Sequence, residues 1–335
     1  MLHASLLSDV VLLNITDRVL VLNSAADPFV TQAARRLTAG ILFLAEDNIA
    51  MLDRVLQLFP TRVQHGAYHD YMLAHRLATM DVAAMNILYQ PANSWMFYGL
   101  QVAAFALKPS GRLYVSGPKD RGILTVAKRM KEIFGNVETL TISKGQRVLC
   151  SQVRSELPSR SVSVVPLQVF ADSKLDEGTR LLLDAMEVYA SDQALDLGCG
   201  AGFIGLHMAR EASRGQVTMV DASLAAVATA QQSVIEQGLT NVRVLPSDGA
   251  QAVRDQRFSL VATNPPFHQG GIQTLQIAER FIRDAAQVLT QKGRFYLVAN
   301  RFLKYEPALL SCFRSVQEVG GDSRYKVLLA TEAQK

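Results

Sequence analysis

Two short strings in the 335-residue chain hold residues suited to chemistry. The first is Leu195-Asp196-Leu197-Gly198-Cys199-Gly200-Ala201-Gly202-Phe203-Ile204-Gly205, where an apolar strand-like run ends and a helix-forming run begins. Glycines at 198, 200 and 202 let the backbone turn sharply and come closer to a ligand than any side chain would permit. Such a turn at a strand-to-helix junction, with Asp196 inside the strand end, is a place to hold a nucleotide-like cofactor. Two more acids follow in order. Asp221 closes the run Val217–Val220, 25 residues after Asp196, where a carboxylate accepts hydrogen bonds from ribose hydroxyls. Asp248 follows the next such run, in Leu245-Pro246-Ser247-Asp248-Gly249. Either acid alone would be an ordinary loop residue, but their order after the glycine turn makes Asp221, Ala222, Asp248 and Gly249 candidate cofactor ligands. The second string is Thr263-Asn264-Pro265-Pro266-Phe267-His268. The carboxamide oxygen of Asn264 and the carbonyl of Pro265 are two acceptors, the prolines stiffen the turn, and Phe267 offers a ring on which a flipped base can stack. His268 is either a proton acceptor or a loop cap.

The elements that must position these residues repeat along the chain. Ala103–Val115 matches Ala285–Leu297 at an offset of 182 with six identities, each copy reading as a helix end, a glycine turn and a strand. Val19–Leu22 corresponds to Ala194–Leu197 at 175, and Phe134–Val137 with Arg147–Leu149 to Phe313–Val316 with Lys326–Leu328 at 179. Windows in order at nearly constant offsets mean two copies of one unit. Within each, short β-branched or Leu-rich runs alternate with amphipathic stretches, which predicts an α/β fold: two tandem Rossmann-like domains, each a mostly parallel sheet flanked by helices. The expected second-copy strands are Gln193–Leu197, Gln216–Val220, Val242–Leu245, Leu260–Thr263, Arg294–Val298 and Lys326–Ala330; helices are expected at Gly202–Ala212, Leu224–Glu236 and Leu275–Leu289. Ser151–Val165, with Ser, Arg and Pro158 and no sustained period, reads as a linker. The domains expected are thus 1–150, the linker 151–165, and 166–335.

Apolar residues make up 49% of the chain and charged residues 19%, which excludes a disordered or fibrous protein. Cys150, Cys199 and Cys312 stand alone and far apart, so neither a metal site nor a disulfide framework is expected, and the setting is read as reducing and cytoplasmic. Asp9, Asp17 and Arg18 interrupt the early apolar run, and no membrane partner is expected. The net charge of +4 is too small to demand a nucleic acid, but it is unevenly placed. From Lys108 to Lys174 twelve Lys or Arg stand against five acids, a net of +7 that leaves −3 elsewhere. Basic side chains there, including Lys128, Arg129 and Lys131, suit phosphate contacts or, on the plainer reading, a solvated face.

The run Asp-Leu-Gly-Cys-Gly-Ala-Gly at 196–202 resembles the first motif of S-adenosylmethionine-dependent class I methyltransferases, and Asn264-Pro265-Pro266-Phe267 resembles the turn of those acting on planar amino nitrogens. The chain as a whole, through both copies and the linker, resembles the ribosomal RNA guanine 2-amino methyltransferases of the RsmC type. Val169–Leu182 looks like the entry segment of that family's catalytic domain, and Ala299-Asn300-Arg301-Phe302-Leu303-Lys304-Tyr305 is also family-like.

The resemblance implies S-adenosyl-L-methionine as cofactor, bound by Asp196, Gly198, Gly200, Gly202, Asp221, Ala222, Asp248, Gly249, Asn264 and Thr179. In it an acid at Asp248 binds the adenine amine, and Leu175, Asp176, Gly178 and Thr179 help close the pocket. Catalysis falls to Asn264, Pro265, Pro266 and Phe267, with His268 as a further candidate. Arg301 and Lys304 would guide RNA or else be solvated helix-end charges. No nucleophile or metal is needed, because the electrophile is the cofactor's sulfonium.

The expected partner is ribosomal RNA, most naturally 16S RNA or the small subunit, acted on by a monomer. The alternatives are a 23S RNA guanine methyltransferase, a protein-glutamine or DNA-adenine amino methyltransferase, and a non-catalytic RNA-binding protein. In the first copy Asn23, Ala25 and Asp27 replace the three glycines, and Tyr89-Gln90-Pro91-Ala92 is read at the place of the Asn-Pro-Pro-Phe turn. That copy is expected to have lost cofactor binding, with Glu46 and Asp47 left as surface acids, and to support RNA binding.

Overall fold

A computed structural model describes residues 6–154, 175–266 and 272–334. The chain divides into two compact units, Met1–Gln168 and Val169–Lys335. In the first, strands β1 (Arg18–Leu22), β2 (Ile41–Glu46), β3 (Val63–Ala67), β4 (Met80–Asn86), β5 (Leu107–Pro118), β6 (Glu138–Ser143) and β7 (Gln146–Gln152) form one sheet in the order β3-β2-β1-β4-β5-β7-β6. In the second, β8 (Gln193–Leu197), β9 (Gln216–Asp221), β10 (Val242–Pro246), β11 (Phe258–Thr263), β12 (Leu289–Asn300), β13 (Phe313–Gly321) and β14 (Tyr325–Ala333) repeat that order as β10-β9-β8-β11-β12-β14-β13. Five neighbours in each sheet are parallel, and the last two strands turn back as an antiparallel hairpin.

The repeat seen in the sequence is met in the pairing register. Val21 lies opposite Ala84 as Asp196 lies opposite Ala262, and Tyr114 opposite Cys150 as Tyr296 lies opposite Leu329. The helices of the first unit are α1 (Leu6–Val10), α2 (Pro28–Arg36), α3 (Ile49–Leu58), α4 (Tyr71–Ala74), α5 (Asn93–Ala106) and α6 (Ile123–Phe134). Those of the second are α7 (Glu177–Ala185), α8 (Phe203–Glu211), α9 (Leu224–Glu236), α10 (Ile272–Val288) and α11 (Glu306–Leu310).

Alternation along the strands of the second unit builds a core on each sheet face. Leu195, Leu197, Val220 and Val261 pack with Ala278 and Ile282 of α10 on one side. Ala194, Val217, Met219, Leu260 and Ala262 pack with Leu182 of α7, Ile204 and Met208 of α8 and Ala230 of α9 on the other. Asp196 shares the face of Ala194, so the carboxylate is buried on the α8 side.

Two expectations need adjusting. Ser151 and Gln152, assigned to the linker, finish β7, and Val153 exchanges backbone hydrogen bonds with Ser110 and Gly111; 155–165 and the entry segment through 174 lie outside the described residues. Strand β13 was not expected as a strand. It is an edge strand whose residues beyond Phe313 are exposed or half-buried, so it lacks the apolar alternation that marks a strand.

Candidate active site

The glycine turn, Asp221, Asp248 and Asn264 all leave the carboxyl ends of neighbouring parallel strands, where β8 pairs with β9 on one side and β11 on the other. That reversal of strand order opens a crevice. Each glycine meets a different demand. Gly198 has φ +78°, and a Cβ on it would lie 2.8 Å from the Phe281 ring. Gly202, with φ +89°, is the N-cap of α8, and a Cβ there would lie 3.3 Å from Ala230 Cβ. Gly200 has φ +52° with no described atom within 4 Å of where a Cβ would stand, so the mouth of the turn is open there.

Gly202 has no side chain with which to cap α8, and Asp196 serves from the strand below: its Oδ2 accepts the Gly205 N–H at 2.8 Å. Its other oxygen, Oδ1, is buried without a partner among the described residues. Burial, with the Asp221 charge adding and the Gly205 N–H opposing, pushes the Asp196 carboxyl up to about 7 from 3.8. An acid whose folded pKa lies above its unfolded one contributes stability fully below about pH 4 and loses it as pH rises to about 7, by up to about 4 kcal/mol. Glu46 in the first unit, pushed by burial to about 7, acts in the same direction. The urea midpoint of the protein alone is therefore expected to fall between pH 5 and 8, and to fall less in Asp196→Asn, which keeps an acceptor for Gly205. Identical slopes in wild type and variant would rule out Asp196 as a source of the loss.

Asp221 ties the turn to the end of β9. Its Oδ2 accepts from Gly200 N and its Oδ1 from Ser223 N, both at 2.8 Å. Burial raises its pKa, while the N–H groups of Ser223, Gly200 and Ala222 hold it down. Burial keeps the Cys199 thiol well above its usual range, so it is no thiolate nucleophile. Asp248 is not a free acid: Arg280 of α10 donates to its Oδ1 at 2.6 Å and to its backbone carbonyl at 2.8 Å. Asp284, one turn along α10, accepts from Ala250 N at 3.0 Å, and a Cβ on Gly249 would fall 2.2 Å from its Oδ2. Neither Arg280 nor Asp284 was legible from the sequence, since 32 residues separate Arg280 from Asp248 and no local pattern joins them.

At the end of β11, Thr263 Oγ1 donates to the Leu197 carbonyl at 2.6 Å, tying this strand end to the glycine turn. Asn264 then turns its amide nitrogen toward Thr179 Oγ1, at 2.8 Å, and toward both carboxylate oxygens of Asp176, at 3.3 Å. Its oxygen, Oδ1, is buried and has no partner among the described residues. Pro265 is buried and Pro266 exposed; Phe267 and His268 lie outside the described residues.

The remaining candidates separate. Lys128, Arg129 and Lys131 are exposed together on α6, although Arg129 pairs with Glu132 at 3.0 Å and lies over the Phe97 ring. Lys304 is exposed. Arg301, expected as an RNA guide or a solvated charge, is exposed, and its guanidinium bonds Glu318 at 2.7 Å and the Asp322 carbonyl at the β13–β14 hairpin.

The first unit keeps the frame of the site and fills it. Glu46 stands at the position of Asp221 and accepts from Ala25 N and Asn48 N, as Asp221 does from Gly200 and Ser223. Glu46 and Asp47 are buried, at 4% and 6% exposure, and are not surface acids; the loop kept its path after losing its glycines. The pairing register also corrects the proposed counterpart of the Asn-Pro-Pro turn. Two residues beyond the equivalent Ala84 and Ala262 stand Asn86 and Asn264, so the asparagine persists and Ile87-Leu88-Tyr89 replace Pro265-Pro266-Phe267. Gln90 donates to the carbonyls of Leu22, Asn23 and Asn86, and accepts from Asn23 Nδ2. Asn86 in turn donates to Asp27 at 2.7 Å. Side chains of the unit itself thus occupy this end of the sheet.

In the second unit the residues fit a nucleoside cofactor: an open mouth at Gly200, a carboxylate held at the end of β9, and an unpartnered Asp196 oxygen beneath the turn. This sheet order with this site defines an S-adenosylmethionine-dependent class I methyltransferase, here with its fold duplicated in tandem. The family model of the methyltransferase small domain matches residues 164–329. A ribosomal RNA small subunit methyltransferase C from Shewanella sediminis is 31% identical over 323 aligned residues, covering 84% of this chain and 93% of that protein. The protein of the same name from Shewanella pealeana is 31% identical, with 76% and 79% covered. Among solved structures, the T. thermophilus 16S rRNA N2 G1207 methyltransferase (RsmC) in complex with AdoMet and guanosine is 27% identical with a TM-score of 0.83, covering 98% of this chain and 92% of that one. The chain belongs to the ribosomal RNA small subunit methyltransferase C family.

Proposed function

We propose that this protein methylates the exocyclic 2-amino group of a guanine in 16S ribosomal RNA, using S-adenosylmethionine, at the position corresponding to that named for the T. thermophilus enzyme. The observation that carries the reading is the Asn264 amide, with its nitrogen held from behind and its oxygen buried without a partner at the end of β11. A guanine 2-amino group has two hydrogens and a lone pair delocalised into the ring. Asn264 Oδ1 and the Pro265 carbonyl would each accept one hydrogen, restraining rotation and freeing the lone pair for attack. The cofactor, when bound, supplies a methyl group activated by a positive sulfur. The N–C bond forms as the S–C bond breaks, and the amine then loses a proton to water. Within the second unit Gly198, Gly200, Gly202, Asp221 and Ala222 would hold the nucleoside. Asp248, its Oδ1 taken by Arg280, would offer its other oxygen to the adenine amine.

The test is methyl transfer from labelled cofactor to small subunits, large subunits and free RNA from a strain lacking the activity, with the modified base mapped. Label at one guanine N2 of 16S RNA is expected; label confined to 23S RNA, protein or DNA would overturn the reading. Lys128, Arg129 and Lys131 on α6 are part of the proposed RNA track. Reversing the charges of Lys128 and Lys131, the two not paired with Glu132, should weaken RNA binding and make the slope of log affinity against log salt shallower by about 0.7 per lost phosphate contact. An unchanged slope would remove α6 from the track.

A further inference from the structure

We propose that Asp176 and Thr179 are positioning residues: they fix the amide of Asn264 in the one orientation that presents its oxygen to the target amine. The inference rests on the reading of Asn264 just given and assigns these two residues, at the start of α7, to the methyl-accepting half of the reaction; it departs from the family resemblance, which implies Thr179 and Asn264 as cofactor ligands and Asp176 as part of the pocket's closure.

An asparagine amide has nearly the same shape either way round, so its surroundings decide which end faces the substrate. The Thr179 hydroxyl donates its single proton to Asp176 Oδ2 at 2.6 Å, leaving its oxygen only as an acceptor for Asn264 Nδ2 at 2.8 Å. Both Asp176 oxygens lie 3.3 Å from the same nitrogen and, ionised, can only accept. Among the described residues, every group bonded to that end of the amide is therefore an acceptor. Turned over, the amide would set its oxygen against three others, with no proton between them.

The carboxylate is itself held, because Asp176 is the N-cap of α7 and its Oδ1 accepts the Thr179 N–H at 3.0 Å. Space beside it is tight: a Cβ on Gly178 would stand 3.2 Å from that oxygen. Thr179 is 4% exposed, so water does not compete for its hydroxyl. The outcome is an Asn264 oxygen that is buried and, among the described residues, unpartnered, while the nitrogen end is fixed.

Thr179→Val keeps the shape and removes the hydroxyl, and Thr179→Ser restores it. With the full-length protein, the valine variant is expected to lower kcat for RNA methylation about ten- to a hundredfold, with cofactor Kd and RNA KM within about threefold of wild type. The serine variant should recover most of the rate. In an Asn264→Ala background the valine substitution should cost nothing further, since Thr179 acts through Asn264. Wild-type kcat in Thr179→Val, an equal loss in the Asn264→Ala background, or a loss of cofactor affinity matching the loss of rate would each overturn the proposal. The functional reading fails separately, if the wild-type protein methylates no RNA. In that event the proposal is read from the Asn264 side-chain NH2 resonances: faster hydrogen exchange in Thr179→Val supports it, and unchanged exchange overturns it.

Discussion

Replacing Asn264 with alanine is expected to lower kcat by about a hundredfold or more while leaving cofactor Kd within about threefold of wild type. Among the described residues, the asparagine oxygen is a buried side-chain acceptor at the end of β11 without a partner, whereas the amide nitrogen is held by Thr179 and Asp176. Truncation removes the acceptor that would restrain one amine hydrogen and leaves the Pro265 carbonyl alone to orient a group that can rotate. The glycine turn and Asp221 are untouched, so cofactor binding should survive. Single-turnover methyl transfer alongside calorimetric cofactor titration separates the two quantities. A variant that turned over at the wild-type rate, or lost cofactor binding in step with rate, would falsify the role given to Asn264.

Asp221→Ala is expected to raise cofactor Kd by about a hundred- to a thousandfold. Two buried 2.8 Å hydrogen bonds to Gly200 and Ser223 disappear, and with them the acceptor expected for the ribose. Hydrogen bonds to a charged group contribute about 1.5–3 kcal/mol each, and about 1.4 kcal/mol is a factor of ten in Kd, so losing two ribose contacts at the lower end of that span, about 3–4 kcal/mol together, gives that range. The first unit supplies the control. Glu46→Ala removes the equivalent carboxylate from Ala25 and Asn48 and should lower stability without changing cofactor Kd. Equal cofactor affinity in wild type and Asp221→Ala would exclude Asp221 as a ligand; a Kd change in Glu46→Ala would show that the first unit takes part in binding.

Much of the architecture was legible because its causes are local. The six strands expected in the second sheet all lie within observed ones, β13 alone being unforeseen there; α9 has its expected bounds, and α8 differs only in whether its cap residues are counted. The glycine turn was legible for the same reason: positive φ at 198, 200 and 202 leaves glycine as the ready choice. Misreadings arose where the deciding partner is distant. Glu46 and Asp47 looked like surface acids once their loop lacked glycines, yet the strand register buries them against that loop. The partners of Arg301 went unread because Glu318 and Asp322 come to it only when β13 folds back on β14. Asn86 was missed as the counterpart of Asn264 because the first copy is shorter between its first and fourth strands, a difference that pairing with β5 makes visible.

The sequence by itself determined the duplicated α/β fold, the glycine turn with Asp221 beyond it, and the Asn-Pro-Pro turn, since each depends on backbone conformations and periodicities that neighbouring residues impose. Only the tertiary structure decided which atoms of those residues are left to act. Asp196 keeps one oxygen unpartnered after capping α8, Asp248 gives one to Arg280, and Asn264 is turned by a helix that begins far before it in the chain, at Glu177. The physical reason is that a side chain's hydrogen-bonding capacity is divided among whatever groups packing brings within about 3 Å, and separation along the chain does not encode that distance.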